Sequence, residues 1–169
     1  MPTPIGNVYL IGAGPGDPGL LTLRGAECLR AADVVLYDYL AGPELLAGTR
    51  PGAELVCLGR HGHGRLMTQA EINERMVREA RAGRTVARLK GGDPSIFARL
   101  SEELAALESA GVPYEIVPGV TAAQAASSHA GIPLTTRDEA SCVAFVTGQE
   151  HPRSEEHTSE LQSPIHISY

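Results

Sequence analysis

The chain has no tryptophan, and aromatic residues make up only 4% of its 169 positions. So few rings argue against the stacked aromatic platforms on which single-stranded nucleic acids are held. Positive charge is also scarce. Fourteen basic residues against twenty acidic ones leave a net charge of −6, which disfavours a nucleic acid or an anionic membrane as partner. Lysine is almost missing: thirteen of the basic residues are arginine and only Lys90 is lysine. An arginine standing where a lysine is expected therefore carries little information by itself. No apolar run approaches the eighteen or so residues of a membrane span, and the N-terminus lacks a secretory pattern. The expectation is a cytoplasmic protein. The three cysteines, Cys28, Cys57 and Cys142, stand apart, two of them within apolar strand-like runs. They read as buried free thiols rather than as metal ligands or a disulfide.

Apolar residues make up 43% of the chain, enough for a sizeable core. Six short runs rich in β-branched residues read as strands, at 8–11, 34–37, 55–58, 85–89, 114–117 and 143–146. Helical patterns separate most of them. Thr68 and Glu71 form a capping box, and Ile72, Met76, Val77 and Ala80 share one apolar face that Gly83 terminates. Leu100, Leu104 and Leu107 make a second stripe, ended by Gly111. Thr22 caps a helix through Leu29, and Thr121 another through about Ser128. Such alternation predicts an α/β fold with a doubly wound parallel sheet.

The chemistry-bearing residues fall after the strands. Gly12-Ala13-Gly14-Pro15-Gly16-Asp17 follows the first and looks like a phosphate-cradling loop. It fails as one, because Asp17 replaces the third glycine of a dinucleotide fingerprint and Pro15 removes an N–H donor. Asp38 follows the second strand, and Gly59-Arg60-His61-Gly62-His63-Gly64-Arg65 the third. Lys90-Gly91-Gly92-Asp93-Pro94 follows the fourth, and Pro118-Gly119-Val120-Thr121-Ala122 the fifth. Ligands of open α/β sheets bind beyond the carboxyl ends of the strands. Five such loops together point to a ligand site, although a single one would be ordinary turn chemistry.

Three segments are expected: an N-terminal α/β domain over 1–118, a linker helix and the first strand of a truncated second domain over 119–150, and a non-native polar tail over 151–169. The tail reading rests on Arg153-Ser154-Glu155-Glu156-His157-Thr158-Ser159-Glu160-Leu161-Gln162-Ser163, which matches a translated sequencing adapter. Setting the tail charges aside leaves about −4. A lone first strand of a second sheet cannot bury its faces and is expected to be poorly ordered or packed opportunistically.

Gly12-Ala13-Gly14-Pro15-Gly16-Asp17-Pro18-Gly19-Leu20-Leu21-Thr22 resembles the opening of the tetrapyrrole methylases. Ala32-Asp33-Val34-Val35-Leu36-Tyr37-Asp38, Arg88-Leu89-Lys90-Gly91-Gly92-Asp93-Pro94, Val117-Pro118-Gly119-Val120-Thr121-Ala122-Ala123 and Gly131-Ile132-Pro133-Leu134-Thr135 continue the resemblance without a gap from about Val8 to Gly148. Within that family, Tyr37-Asp38 and Lys90-Gly91-Gly92-Asp93-Pro94 are most similar to the branch acting on uroporphyrinogen III. The resemblance implies C-methylation of that tetrapyrrole to precorrin-2, for sirohaem or cobalamin, with S-adenosyl-L-methionine as methyl donor and a homodimeric assembly. Alternatives are a methylase of a later corrin intermediate and a folded but non-catalytic fragment.

The resemblance also implies site residues. Pro15, Gly91, Gly92, Asp93, Ile96, Thr121 and Ala122 would contact S-adenosyl-L-methionine. Read without it, Gly91 and Gly92 are a turn glycine pair, Asp93 an N-cap before Pro94 and Thr121 an N-cap. Asp38 matches the family's proton acceptor, against a plain strand-end Asp capping a turn. Arg60 stands where the family's proposed proton donor is usually Lys. Guanidinium stays protonated and is a poor acid. It binds carboxylates bidentately, so Arg60, His61, His63 and Arg65 are expected to form a substrate-binding patch for the carboxylate-rich macrocycle. His61 and His63 lack an evident third ligand, so no metal site is expected. His129 reads as a surface or packing residue.

Overall fold

The computed structural model describes residues 4–38, 42–59, 66–140 and 142–146. The expected tail and the whole expected substrate patch, Arg60, His61, His63 and Arg65, lie outside them.

Five parallel strands form one sheet in the order β3-β2-β4-β1-β5: β1 Val8–Gly12, β2 Val34–Tyr37, β3 Glu54–Cys57, β4 Val86–Lys90 and β5 Tyr114–Val117. β1 pairs with β4 and β5, and β2 with β3 and β4, all in parallel register. The α/β expectation is met. β3 and β4 are each displaced by one residue from the sequence reading, which is where ladder pairing rather than hydrophobicity sets the bounds.

Side chains alternate across the sheet with period two. On one face Val8, Leu10, Val34, Leu36 and Val86 pack with Ile72, Met76 and Ala80 of α3 (Gln69–Arg81) and Leu107 of α4 (Leu100–Ser109). On the other, Ile11, Val35, Ala87, Leu89 and Val117 pack with Cys28 and Leu29 of α1 (Leu23–Ala31) and Leu45 of the short α2 (Pro43–Leu46). Each fully buried Leu or Ile contributes about 1.5–3 kcal/mol relative to exposure.

Local signals fix the helix ends. Thr22 accepts from the Gly25 N–H at 3.1 Å and starts α1. The Thr68–Glu71 capping box is complete, and α3 stops where Gly83 turns left-handed at φ 82°. Thr121 accepts from the Gln124 N–H at 3.2 Å and opens α5 (Ala122–Ala130). α2 has no periodic pattern long enough to be read from sequence.

The chain divides into two compact units, Met1–Ala125 and Ala126–Tyr169. The first contains the whole sheet. In the second, Ser127 Oγ donates to the Ile132 carbonyl, and Thr136 and Ala140 pair across a tight turn. His129 is exposed, as expected.

Two expectations are corrected. Residues 142–146 are exposed and form no strand, because no ladder partner satisfies their backbone groups among the described residues. The cysteines are all free, but only Cys28 is buried; Cys57 and Cys142 are exposed. Cys57 closes the edge strand β3, whose outer positions alternate into solvent, and Cys142 belongs to the unpaired segment.

Candidate functional site

The loops after β1, β4 and β5 meet at the carboxyl edge of the sheet. The Ala13 N–H donates to the Lys90 carbonyl at 2.7 Å, and Gly14 and Gly92 exchange backbone hydrogen bonds of 3.1 and 2.8 Å. Gly12 and Gly119 are in direct backbone contact. A Cβ on Gly12 would lie 2.6 Å from the Gly119 Cα, and a Cβ on Gly119 would lie 2.3 Å from the Gly92 carbonyl oxygen. Only glycine permits this three-way approach.

Asp93 stitches two of these loops together. Its Oδ2 accepts from the Gly119 N–H at 2.9 Å, and its Oδ1 accepts from the Ser95 N–H at 2.8 Å and from the Ser95 hydroxyl. Burial alone would push this carboxyl up, but the donors from Ser95 and Gly119 outweigh it and hold it below the ordinary aspartate value. Thr121 lies across from Gly92, with its Cα 4.0 Å from where a Cβ on that glycine would sit. Pro15, Gly91, Gly92, Asp93 and Thr121 therefore occupy adjoining loops, with Ala122 at the start of α5. Ile96 is 36% exposed on the same loop as Asp93. Asp17 has a local structural role. It accepts from the Gly19 N–H at 2.7 Å and caps a single 3-10 turn, Pro18–Leu20.

Asp38 directly follows β2, two strands from β1. Its Oδ2 is 3.8 Å from Arg88, and its Oδ1 is buried with no hydrogen-bond partner among the described residues. An open buried acceptor of this kind is uncommon. Arg60, His61, His63 and Arg65 lie outside the described residues.

Sequence reasoning missed a buried charge cluster beneath these loops. Glu103 of α4 is fully buried, and Arg88 and Lys90 of β4 are 6% and 2% exposed. Glu103 Oε1 accepts from Arg88 Nε at 3.0 Å, and its Oε2 accepts from Lys90 Nζ at 2.5 Å. Lys90 also donates to the Ala98 carbonyl at 2.5 Å. Burial pushes the Lys90 ammonium below its usual value, and Glu103 only partly restores it. The residues on either side of Ala98, Phe97 and Arg99, are both left-handed, with φ of 51° and 53°. Such bulky residues adopt this region at a cost of order 1–3 kcal/mol each and only when the surroundings impose it. The signal in the sequence was charge at inward positions: Glu103 falls on the Leu100–Leu104–Leu107 stripe, and Arg88 and Lys90 alternate through an apolar strand.

Among the described residues no group of His, Cys, Asp and Glu is arranged to hold a metal, and no helix is long and apolar enough to cross a membrane.

Over residues 7–165 the chain matches the family described as Tetrapyrrole (Corrin/Porphyrin) Methylases. It is 53% identical over 148 residues to a siroheme synthase of Baumannia cicadellinicola, covering 88% of this chain and 32% of that protein. It is 52% identical to siroheme synthase 1 of Cronobacter sakazakii, covering 90% of this chain and 32% of that one. The chain thus spans about a third of the length of these curated relatives. Among solved structures, uroporphyrin-III C-methyltransferase from Thermus thermophilus superposes with a TM-score of 0.69 at 47% identity, covering 79% of this chain and 56% of that chain. The same enzyme complexed with S-adenosyl homocysteine superposes at 0.64 with 48% identity, covering 79% of this chain and 55% of that chain. A cobalt precorrin-4 methyltransferase superposes at 0.71 with 40% identity, covering 78% of this chain and 53% of that chain.

Proposed function

This chain belongs to the tetrapyrrole methylases, and we propose that it serves the S-adenosyl-L-methionine-dependent C-methylation of uroporphyrinogen III to precorrin-2, toward sirohaem or cobalamin. The observation that carries the reading is the convergence of Gly12, Gly92 and Gly119, locked by Asp93, in a chain 47% identical to a protein named uroporphyrin-III C-methyltransferase.

The residues present suit the methyl donor. The glycine contacts bring bare backbone to the crevice, Gly92 turns left-handed opposite Thr121, and the Thr121 hydroxyl and the remaining acceptor capacity of Asp93 can meet hydroxyl or ammonium groups. Pro15, Gly91, Gly92, Asp93, Ile96, Thr121 and Ala122 would hold it. When bound, S-adenosyl-L-methionine supplies a methyl group already activated by its sulfonium. The chain's own share is to align the macrocycle in line with that group and to exclude water. Asp38, with one oxygen near Arg88 and the other open, accepts the proton released by the methylated macrocycle. Arg60, His61, His63 and Arg65 bind the substrate's carboxylates. The proposal includes a cytoplasmic location and a homodimeric assembly.

A second reading, methylation of a later corrin intermediate, has the cobalt precorrin-4 methyltransferase superposition in its favour. Incubation with uroporphyrinogen III and S-adenosyl-L-methionine separates the two. A product carrying two added methyl groups supports the first, and turnover only of an already methylated corrin supports the second.

A further inference from the structure

We propose that Glu103 is a positioning residue for this site: its one buried carboxylate orients Arg88 toward Asp38 and Lys90 toward the Ala98 carbonyl, so the strand-end acid and the Asp93–Ala98 loop share a single anchor. The inference rests on the functional reading above for what the site holds, and on geometry alone for how it is held.

The two carboxylate oxygens have different tasks. Oε1 accepts from Arg88 Nε at 3.0 Å, and the same guanidinium reaches the Leu89 carbonyl at 3.0 Å and Asp38 Oδ2 at 3.8 Å. Oε2 accepts from Lys90 Nζ, whose other bond holds Ala98 between two left-handed residues. The buried Arg88, Lys90 and Glu103 carry one positive charge in excess, and the partly exposed Asp38 balances it from the rim of the cluster. A motive of plain stability is weak, because well-packed apolar residues often replace buried ion clusters without loss. What apolar residues cannot reproduce is the lysine bond to the Ala98 carbonyl or a cation beside Asp38. The loop that Lys90 restrains carries Asp93 and Ile96, two of the residues assigned to the methyl donor.

The test compares the parent chain with Glu103→Gln and with the apolar triple variant Arg88→Met/Lys90→Met/Glu103→Leu. Each is measured for Tm, for amide hydrogen exchange across residues 93–99, and for binding of S-adenosylhomocysteine. The triple variant is expected to melt near the parent, since the one charge it leaves, Asp38, is partly exposed, yet to exchange at least tenfold faster in residues 93–99 and to bind at least tenfold more weakly. Glu103→Gln keeps the fold under milder perturbation and is expected to show the same local release, about threefold. A purely structural role would alter Tm alone. Exchange and affinity within twofold of the parent in a folded variant would overturn the inference. If the parent binds no S-adenosylhomocysteine while residues 93–99 are still released, the cofactor reading fails and the anchoring stands.

Discussion

Lys90 and Glu103 meet at 2.5 Å with both side chains closed off from solvent, directly under the loop that carries Asp93. Removing one partner leaves uncompensated charge in the interior. Glu103→Leu alone is expected to destabilise the fold by about 3–5 kcal/mol, in contrast to the triple apolar replacement. Chemical denaturation of the two variants side by side checks this; equal losses would contradict it.

Gly119→Ala places a Cβ 2.3 Å from the Gly92 carbonyl and 2.8 Å from the Gly12 Cα, all rigid backbone. The loops must separate. We expect a stability loss of about 1–3 kcal/mol, as for other overpacked sites, with loss of S-adenosylhomocysteine binding. Parent-like affinity in this variant would show that the three-glycine contact does not shape the crevice.

Asp93 is held below its ordinary value by Ser95 and Gly119 despite its burial. Its contribution to stability is therefore present above the ordinary aspartate range and lost as pH falls through the lowered native value, because protonation removes the acceptor that the folded state uses. Asp93→Asn should flatten the acid limb of the stability curve. An unchanged acid limb, measured by urea unfolding across pH, would remove Asp93 from that linkage.

Asp38→Asn keeps the shape of the side chain and removes its basicity. Turnover should disappear while S-adenosylhomocysteine affinity stays nearly unchanged. Full activity would exclude Asp38 as the proton acceptor.

Arg65→Glu should weaken binding of the carboxylate-rich macrocycle at least tenfold and leave S-adenosylhomocysteine binding unaffected. Unchanged substrate affinity would dissolve the proposed patch of Arg60, His61, His63 and Arg65.

Most of the sheet is legible in the sequence. Strands such as Val34–Tyr37 are buried on both faces and read as short, continuous apolar runs closed by glycine or a carboxylate. Capping residues mark the helices for the same local reason. Residues 143–146 carry the same composition and form no strand, because composition records the tendency to pair and not the presence of a partner. The exposure of Cys57 follows from β3 lying at the sheet edge, a fact of topology that no local window contains. In the site, the glycine loops are legible through their motifs, whereas the Arg88–Glu103–Lys90 cluster joins a strand to a helix more than ten residues away and becomes visible only when both faces are assigned.

Calorimetric titration of the chain with S-adenosylhomocysteine tests the central claim most directly. A crevice walled by Gly12–Gly14, Gly91–Asp93 and Thr121 should give saturable, one-to-one binding in the micromolar range. A folded, cooperatively melting chain that releases no binding heat and shows no saturation would contradict the account and mark this domain as a non-catalytic α/β unit.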